Sequence, residues 1–230
     1  AARKDKKIIE KQDFLDAVDR IIGGLEKKNK IITPKEKRTI AYHEAGHASV
    51  SWLLEHANPL VKVTIVPRGQ ALGAAWYLPE ERQITTKAQL LDQMISLLGG
   101  RAAEEIVFGE VSTGALNDLE RVTKQAYAMV VYYGLDKEIG NISFYDSSGQ
   151  SEYGFQKPFS DKTAEKIDAQ IRSMVEEAYN RAKTILIENR EKLDALATIL
   201  VEREVIFRED VENIYGKRPW DEEKADEQQA

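Results

Sequence analysis

The pentapeptide His43-Glu44-Ala45-Gly46-His47 lies inside a stretch patterned as one helix, and it constrains the fold more tightly than anything else in the chain. Thr33-Pro34-Lys35-Glu36 is a helix start, with a threonine cap, a proline in the first turn and a glutamate at the third helical position. The run through Ile40, His43, His47, Val50 and Leu54 predicts a helix over residues 34–56. Residues four apart stand one turn apart on one helical face, so both imidazoles can reach a single metal ion. Glu44, one residue past the first histidine, brings a carboxylate beside the position that such a site leaves open. There it can take a proton from a zinc-bound water, whose pKa the metal pulls down to ~7. H-E-x-x-H is thus half of a site for amide hydrolysis.

The other half is constrained by composition. The chain has three histidines, all between His43 and His56, and no cysteine. Thiolate zinc sites, disulfides and a cysteine nucleophile are therefore excluded, and a reducing compartment is favoured. A catalytic zinc needs a third protein ligand. His56 lies near the predicted helix end and is badly placed to turn back onto the same metal, so it reads as a bystander. The third ligand should be a carboxylate. Glu104, Glu105 and Asp118, all on later predicted helices, are the candidates, and spacing leaves the three open.

With 42% hydrophobic and 31% charged residues, the chain can bury a core of its own. A net charge of −6 argues against a general nucleic-acid binder. The longest charge-free stretches, residues 69–79 and 125–135, fall far short of the ~18 apolar residues of a membrane span. The start, Ala1-Ala2-Arg3-Lys4-Asp5-Lys6-Lys7, lacks a signal-peptide core.

The remaining pattern is mainly helical. An amphipathic helix is expected over residues 1–22, stopped by Gly23-Gly24, with a charged linker after it. Residues 60–66 and 72–78 read as two strands around a Pro67-Arg68-Gly69 turn. A helix opens at Thr85-Thr86 and resumes after Gly99-Gly100 to stop at Gly109. The glycine pair inside it points to close packing against another backbone. Residues 112–115 are loop chemistry, and a helix over residues 117–133 ends at Gly134. A short strand is expected at 142–145, an exposed loop at 146–159, a Ser160-capped helix to about residue 189, and a second helix through Leu193 and Leu200. A turn-rich piece at 208–215 and a polar, disordered tail at 221–230 complete the chain. The fold class is mainly α, with a small sheet or hairpin and a C-terminal helical bundle.

Several of these segments together resemble the peptidase domain of the FtsH family, membrane-anchored ATP-dependent zinc proteases that include the mitochondrial AAA proteases. The resemblance rests on Tyr42-His43-Glu44-Ala45-Gly46-His47-Ala48, Val66-Pro67-Arg68-Gly69, Leu72-Gly73, Gly99-Gly100-Arg101-Ala102-Ala103-Glu104-Glu105 and Ser112-Thr113-Gly114-Ala115-Leu116-Asn117-Asp118-Leu119. It covers roughly residues 1–220. Tyr77-Leu78-Pro79 and Gly216-Lys217-Arg218-Pro219 are similar to members of both the bacterial and the mitochondrial branches.

The resemblance implies that His43, His47 and Asp118 bind Zn2+, that Glu44 is the general base, and that Glu104 and Glu105 are structural. One of those two glutamates is expected to hold a ligand imidazole by its far N–H. It implies polypeptide substrates paired with the 72–78 strand, and a homo-oligomer, a hexamer, built partly by the C-terminal helices. No phosphate-loop motif is present in the chain. Residues 1–29 then correspond to the end of an ATPase lid and its linker, and 30–220 to the zinc peptidase domain. The full-length protein would carry the ATPase module and a membrane anchor, with this domain on the cytoplasmic or mitochondrial-matrix side. This fragment would be soluble, cleaving peptides and loose chains but not folded proteins. The alternative is a ring-forming assembly subunit without activity, against which the intact Glu44 and histidine pair speak.

Overall fold

The helix that carries the pentapeptide, α1 (Pro34–Leu53), begins as its sequence requires. Thr33 Oγ1 accepts from the Glu36 N–H at 3.2 Å, and the Glu36 carboxylate accepts from the Thr33 N–H at 2.9 Å. Such a cap contributes about 1 kcal/mol. The computed structural model describes residue 8 and residues 33–67, 72–78, 83–145, 158–218 and 220. The expected helix and linker at 1–29 (but for residue 8), most of the 146–159 loop and the tail at 221–230 lie outside the described residues.

Every residue of α1 from 40 through 52 is buried. This is why the helix shows no apolar stripe: it is covered on all sides, and Ala41, Ala45, Gly46, Ala48 and Ser49 let its neighbours come close. The strand β1 (Leu60–Thr64) pairs antiparallel with both β2 (Ala74–Tyr77) and β3 (Val205–Phe207), giving the order β2-β1-β3.

The helix α2 (Lys87–Phe108) runs through Gly99-Gly100 without a break and ends at Gly109 in the left-handed conformation. The glycines mark a crossing. A Cβ on Gly46 would lie 2.3 Å from the Gly99 carbonyl oxygen, and one on Gly99 would lie 2.7 Å from the Gly46 oxygen. Each glycine costs about 1 kcal/mol of helix propensity, and the close approach of α1 and α2 offsets it.

A single 3-10 turn (Thr113–Ala115) leads into α3 (Leu116–Tyr127), which continues as a π-helical turn (Ala128–Tyr132) and stops before Gly134 in the left-handed region. The helices α4 (Asp161–Glu188) and α5 (Arg190–Arg203) pack on α2 and α1 respectively. Leu186, Leu193, Leu196 and Leu200 are fully buried, each burial stabilising by roughly 1.5–3 kcal/mol.

Two expectations need correction. Residues 142–145 form no strand; the Phe144 N–H donates instead to the Val131 carbonyl at 2.9 Å, and Tyr145 packs against Tyr132. Residues 208–215, read as turns, form α6 (Arg208–Tyr215), whose start is tied by the Phe207 N–H to Asp210 at 3.0 Å. Among the described residues no helix is long and apolar enough to cross a membrane.

The C-terminal end of α1 lacks a glycine cap. The turn just past it is held instead by the buried Arg218 guanidinium, which donates to Leu54 O at 2.9 Å and to Ala57 O. Trp52 Nε1 donates to Gly216 O at 3.1 Å, and the Tyr215 hydroxyl reaches Ser49 Oγ at 2.7 Å. The far end of the chain therefore holds the helix that bears the histidines.

Candidate active site

The i, i+4 spacing places the His43 and His47 rings edge to face, 4.7 Å between centroids and 3.1 Å between their Nε2 atoms. The far nitrogen of each ring is occupied. His43 Nδ1 lies 2.6 Å from Glu104 Oε1, and His47 Nδ1 lies 2.9 Å from the Ser96 carbonyl oxygen. An oxygen acceptor at Nδ1 fixes the proton there and leaves the Nε2 lone pair free. Two lone pairs therefore converge on one point.

Asp118 joins them from the first turn of α3. Its Oδ2 is 3.5 Å from each Nε2, and one ligand atom from each of the three residues lies within 4.8 Å of the others. These three side chains could hold a metal ion. The preceding turn aims Asp118: Ser112 Oγ accepts from the Gly114 N–H at 3.1 Å, and the Ser112 N–H donates to Glu104 Oε2 at 2.6 Å.

The other sequence candidates part company here. Glu104 stands behind His43, whereas Glu105, the next residue round the helix, faces α4 and accepts from the Tyr179 hydroxyl and from Lys183 Nζ at 3.3 Å. His56 lies outside the cluster; its backbone N–H donates to Asp92 at 3.0 Å.

The match to known families falls on the same elements. The family model described as peptidase family M41 matches residues 30–214, which span all three convergent residues and Glu44. The chain belongs to peptidase family M41. It is 64% identical over 220 residues to a protein of Parabacteroides distasonis named ATP-dependent zinc metalloprotease FtsH, covering 96% of this chain and 32% of that one. A protein of the same name from Rhodothermus marinus is 54% identical over 222 residues, 96% of this chain and 32% of the relative. The mouse mitochondrial inner membrane m-AAA protease component AFG3L2 is 46% identical over 228 residues, 99% of this chain and 28% of the relative. This M41 chain spans about a third of the length of the curated relatives it matches.

The electrostatics of the M41 centre call for a cation. Three carboxylates, Glu44, Glu104 and Asp118, surround two imidazoles. Burial would lower the His43 pKa, but Asp118 and Glu104 outweigh it and lift the ring to about 10, so with no metal bound a proton occupies the Nε2 lone pair that a cation would take. Burial also opposes ionisation of Asp118, yet the two histidines hold its carboxyl well below the usual range. Burial pushes Glu44 upward, against the pull of His47 and His43. A buried carboxylate with a raised pKa is suited to accept and then release a proton.

Sequence reasoning missed the glycines that make room for this cluster. A Cβ on Gly100 would fall 2.5 Å from His43 Nε2 and 2.6 Å from His47 Nε2, and one on Gly73 would fall 2.7 Å from Glu44 Oε1. The Gly99-Gly100 pair was a visible signal, although it pointed only to backbone packing. The Ser96 carbonyl had no signal, because any residue supplies one. The centre opens onto a cleft lined by α1 from Lys35 to Ser51, by β2, and by the turn and first helical residues up to Arg121. Leu72, Gly73, Ala74, Ala75 and Tyr77 form one wall, with β2 at the edge of the sheet among the described residues.

Proposed function

We propose that this chain is the zinc-dependent endopeptidase unit of a larger ATP-dependent protease. The observation that carries the reading is the convergence of His43 Nε2, His47 Nε2 and Asp118 Oδ2, with the Glu44 carboxylate beside them. Two imidazoles and one carboxylate form the donor set of a catalytic zinc that keeps one position open. His43, His47 and Asp118 hold the ion. When bound, Zn2+ supplies a Lewis acid for the scissile carbonyl and lowers the pKa of water. Glu44 takes the proton from the attacking water and passes it to the leaving amine nitrogen. Glu104 and the Ser96 carbonyl keep both rings in the productive tautomer.

The backbone of β2 offers an edge on which an extended chain can add as another strand. That mode grips the main chain and reads side chains loosely, which suits unfolded polypeptides. The relatives' names speak of ATP dependence and of the mitochondrial inner membrane, and this chain corresponds to about a third of their length. In this reading the whole protein is membrane-anchored, with an ATPase module that feeds a ring, a hexamer, of these domains on the cytoplasmic or matrix side. Residues 1–29 are the end of that module and its linker, and residues 30–220 are the peptidase.

Metal content and casein hydrolysis, compared between wild type and Glu44→Gln, test the core of this reading. Both proteins should bind zinc and only wild type should cleave. Wild type without zinc refutes it.

A further inference from the structure

Every polar side chain of the metal centre but one is held by a partner at short range. His43 Nδ1 meets Glu104, His47 Nδ1 meets the Ser96 carbonyl, and Glu104 also takes the Ser112 N–H. Asp118 Oδ2 stands 3.5 Å from both Nε2 atoms. The Glu44 carboxylate makes no hydrogen bond among the described residues; burial and the charges of His47, His43 and Asp118 are what act on it. A general base must stay within hydrogen-bond reach of the proton it takes. A glutamate side chain has three rotatable bonds, so here packing has to do the holding.

The packing partner is Gly73, the residue before β2. A Cβ on Gly73 would lie 2.7 Å from both Cγ and Oε1 of Glu44, and 2.9 Å from the Thr64 carbonyl oxygen. The bare glycine backbone therefore stands against the side chain of the base. Its φ does not call for glycine, because the left-handed glycines among the described residues are Gly109, Gly134, Gly140 and Gly216. What position 73 needs is the space. Glycine at a strand often marks such a close approach. The wall behind it is firm: Thr64 lies on the central strand and pairs with Ala74 on one side and Val205 on the other. A side chain at position 73 would thus be accommodated chiefly by moving Glu44.

We propose that Gly73 is the positioning residue of the general base. Its backbone, tied to the sheet through Ala74, sets where the Glu44 carboxylate stands beside the three converging donors. The proposal rests on the peptidase reading above, in which Glu44 moves the proton, and adds what keeps that group in register. The two crowded glycines then have separate tasks. The Cβ of an alanine at position 100 would meet both imidazoles, whereas none of the three atoms nearest a Cβ at position 73 belongs to His43, His47 or Asp118. Filling position 73 should therefore impair proton transfer and spare the metal.

The test compares zinc-loaded wild type with Gly73→Ala on one internally quenched peptide. Bringing the new Cβ to the 3.4 Å of ordinary contact displaces the Glu44 side chain by about 0.7 Å. A misplacement of that order should lower kcat per bound zinc by about 10- to 100-fold. KM and zinc affinity should stay within about twofold of wild type. Fluorescence anisotropy of the same peptide on Glu44→Gln, with and without Gly73→Ala, should give equal affinities in the absence of turnover. A merely structural role would instead lower zinc content and peptide affinity together with kcat. An unchanged kcat, a loss that lies mainly in KM or in peptide affinity, or a loss of zinc overturns the role of Gly73 and leaves the peptidase reading intact. Wild type that cleaves no peptide overturns the peptidase reading, and the role of Gly73 with it.

Discussion

Gly100→Ala adds one methyl group, in a helix, and should empty the metal centre. Gly100 is buried, and the new Cβ would lie 2.5 Å from His43 Nε2 and 2.6 Å from both His43 Cδ2 and His47 Nε2. Against the 3.4 Å at which ordinary contact begins, the shortfall is about 0.9 Å. The rings have nowhere to go without loss, because His43 Nδ1 is held by Glu104 at 2.6 Å and His47 Nδ1 by Ser96 O at 2.9 Å. Metal–ligand distances tolerate only about ±0.2 Å.

Mutations that merely loosen a ligand's outer hydrogen bond cost about 10–100-fold in metal affinity, so displacing both ligands should cost more than ~100-fold, or about 2.7 kcal/mol. The fold should survive. Alanine gains about 1 kcal/mol over glycine inside a helix, and a strained or broken charge-assisted hydrogen bond costs about 1.5–3 kcal/mol. The metal-free variant should therefore lie within ~2 kcal/mol of metal-free wild type. Competition with a chromophoric chelator measures the first quantity, and urea denaturation in excess chelator the second. Wild-type zinc affinity in Gly100→Ala would refute the argument that the glycine exists to admit the imidazoles.

Three further outcomes follow from the same geometry. Asp118→Asn should lose zinc altogether, Glu104→Gln should bind it about 10–100-fold more weakly, and Glu105→Gln should bind it as wild type does, all read by the same competition titration. Arg218→Ala should destabilise the chain by roughly 2–4 kcal/mol in urea denaturation, because the carbonyls of Leu54 and Ala57 are left without their buried donor. The Tyr179 hydroxyl, and then Lys183, hold the Glu105 carboxyl below its ordinary range. A depressed carboxyl stabilises the fold above its unfolded pKa of ~4.3 and loses that contribution as pH falls through the folded value. The gap in melting temperature between wild type and Glu105→Gln should therefore shrink between about pH 6 and pH 3, and a constant gap would contradict the assignment.

What could be read in the sequence was what depends on neighbours in the chain. The Thr33-Pro34-Glu36 start and the i, i+4 histidine pair are local geometry, and both stand where expected. The choice among three carboxylates was not local. Glu104 and Glu105 are adjacent in sequence but about 100° apart around α2, and only the packing of α1 on one side and α4 on the other separates their roles. The strand β3 was missed because three residues are too few to show alternation. The apolar and aromatic residues at 142–145 imitated a strand, whereas the Tyr145 ring packs on Tyr132 of the π-helical turn and the Phe144 ring on Phe159. The start of α6 at Phe207 carries none of the hydroxyl or amide side chains that usually announce a helix.

A site assembled from two elements has a rigidity problem that its ligands do not solve. His43 and His47 are fixed relative to each other by the helix, but Asp118 follows a turn and could drift. Glu104 closes that gap, since one oxygen takes the His43 Nδ1–H while the other takes the Ser112 N–H at the start of the turn, both at 2.6 Å. Burial alone would push its carboxyl up, yet the bonds from His43 and Ser112 hold it below the ordinary range, so it is ionised and accepts both. Its charge also makes the His43 ring a more basic ligand. Glutamine keeps the shape but has only one accepting oxygen, so one of the two contacts must fail whichever way the amide turns. The metal is then weakened through position rather than through loss of a ligand. This is why Glu104→Gln should fall between Asp118→Asn, which removes a ligand, and Glu105→Gln, which touches none.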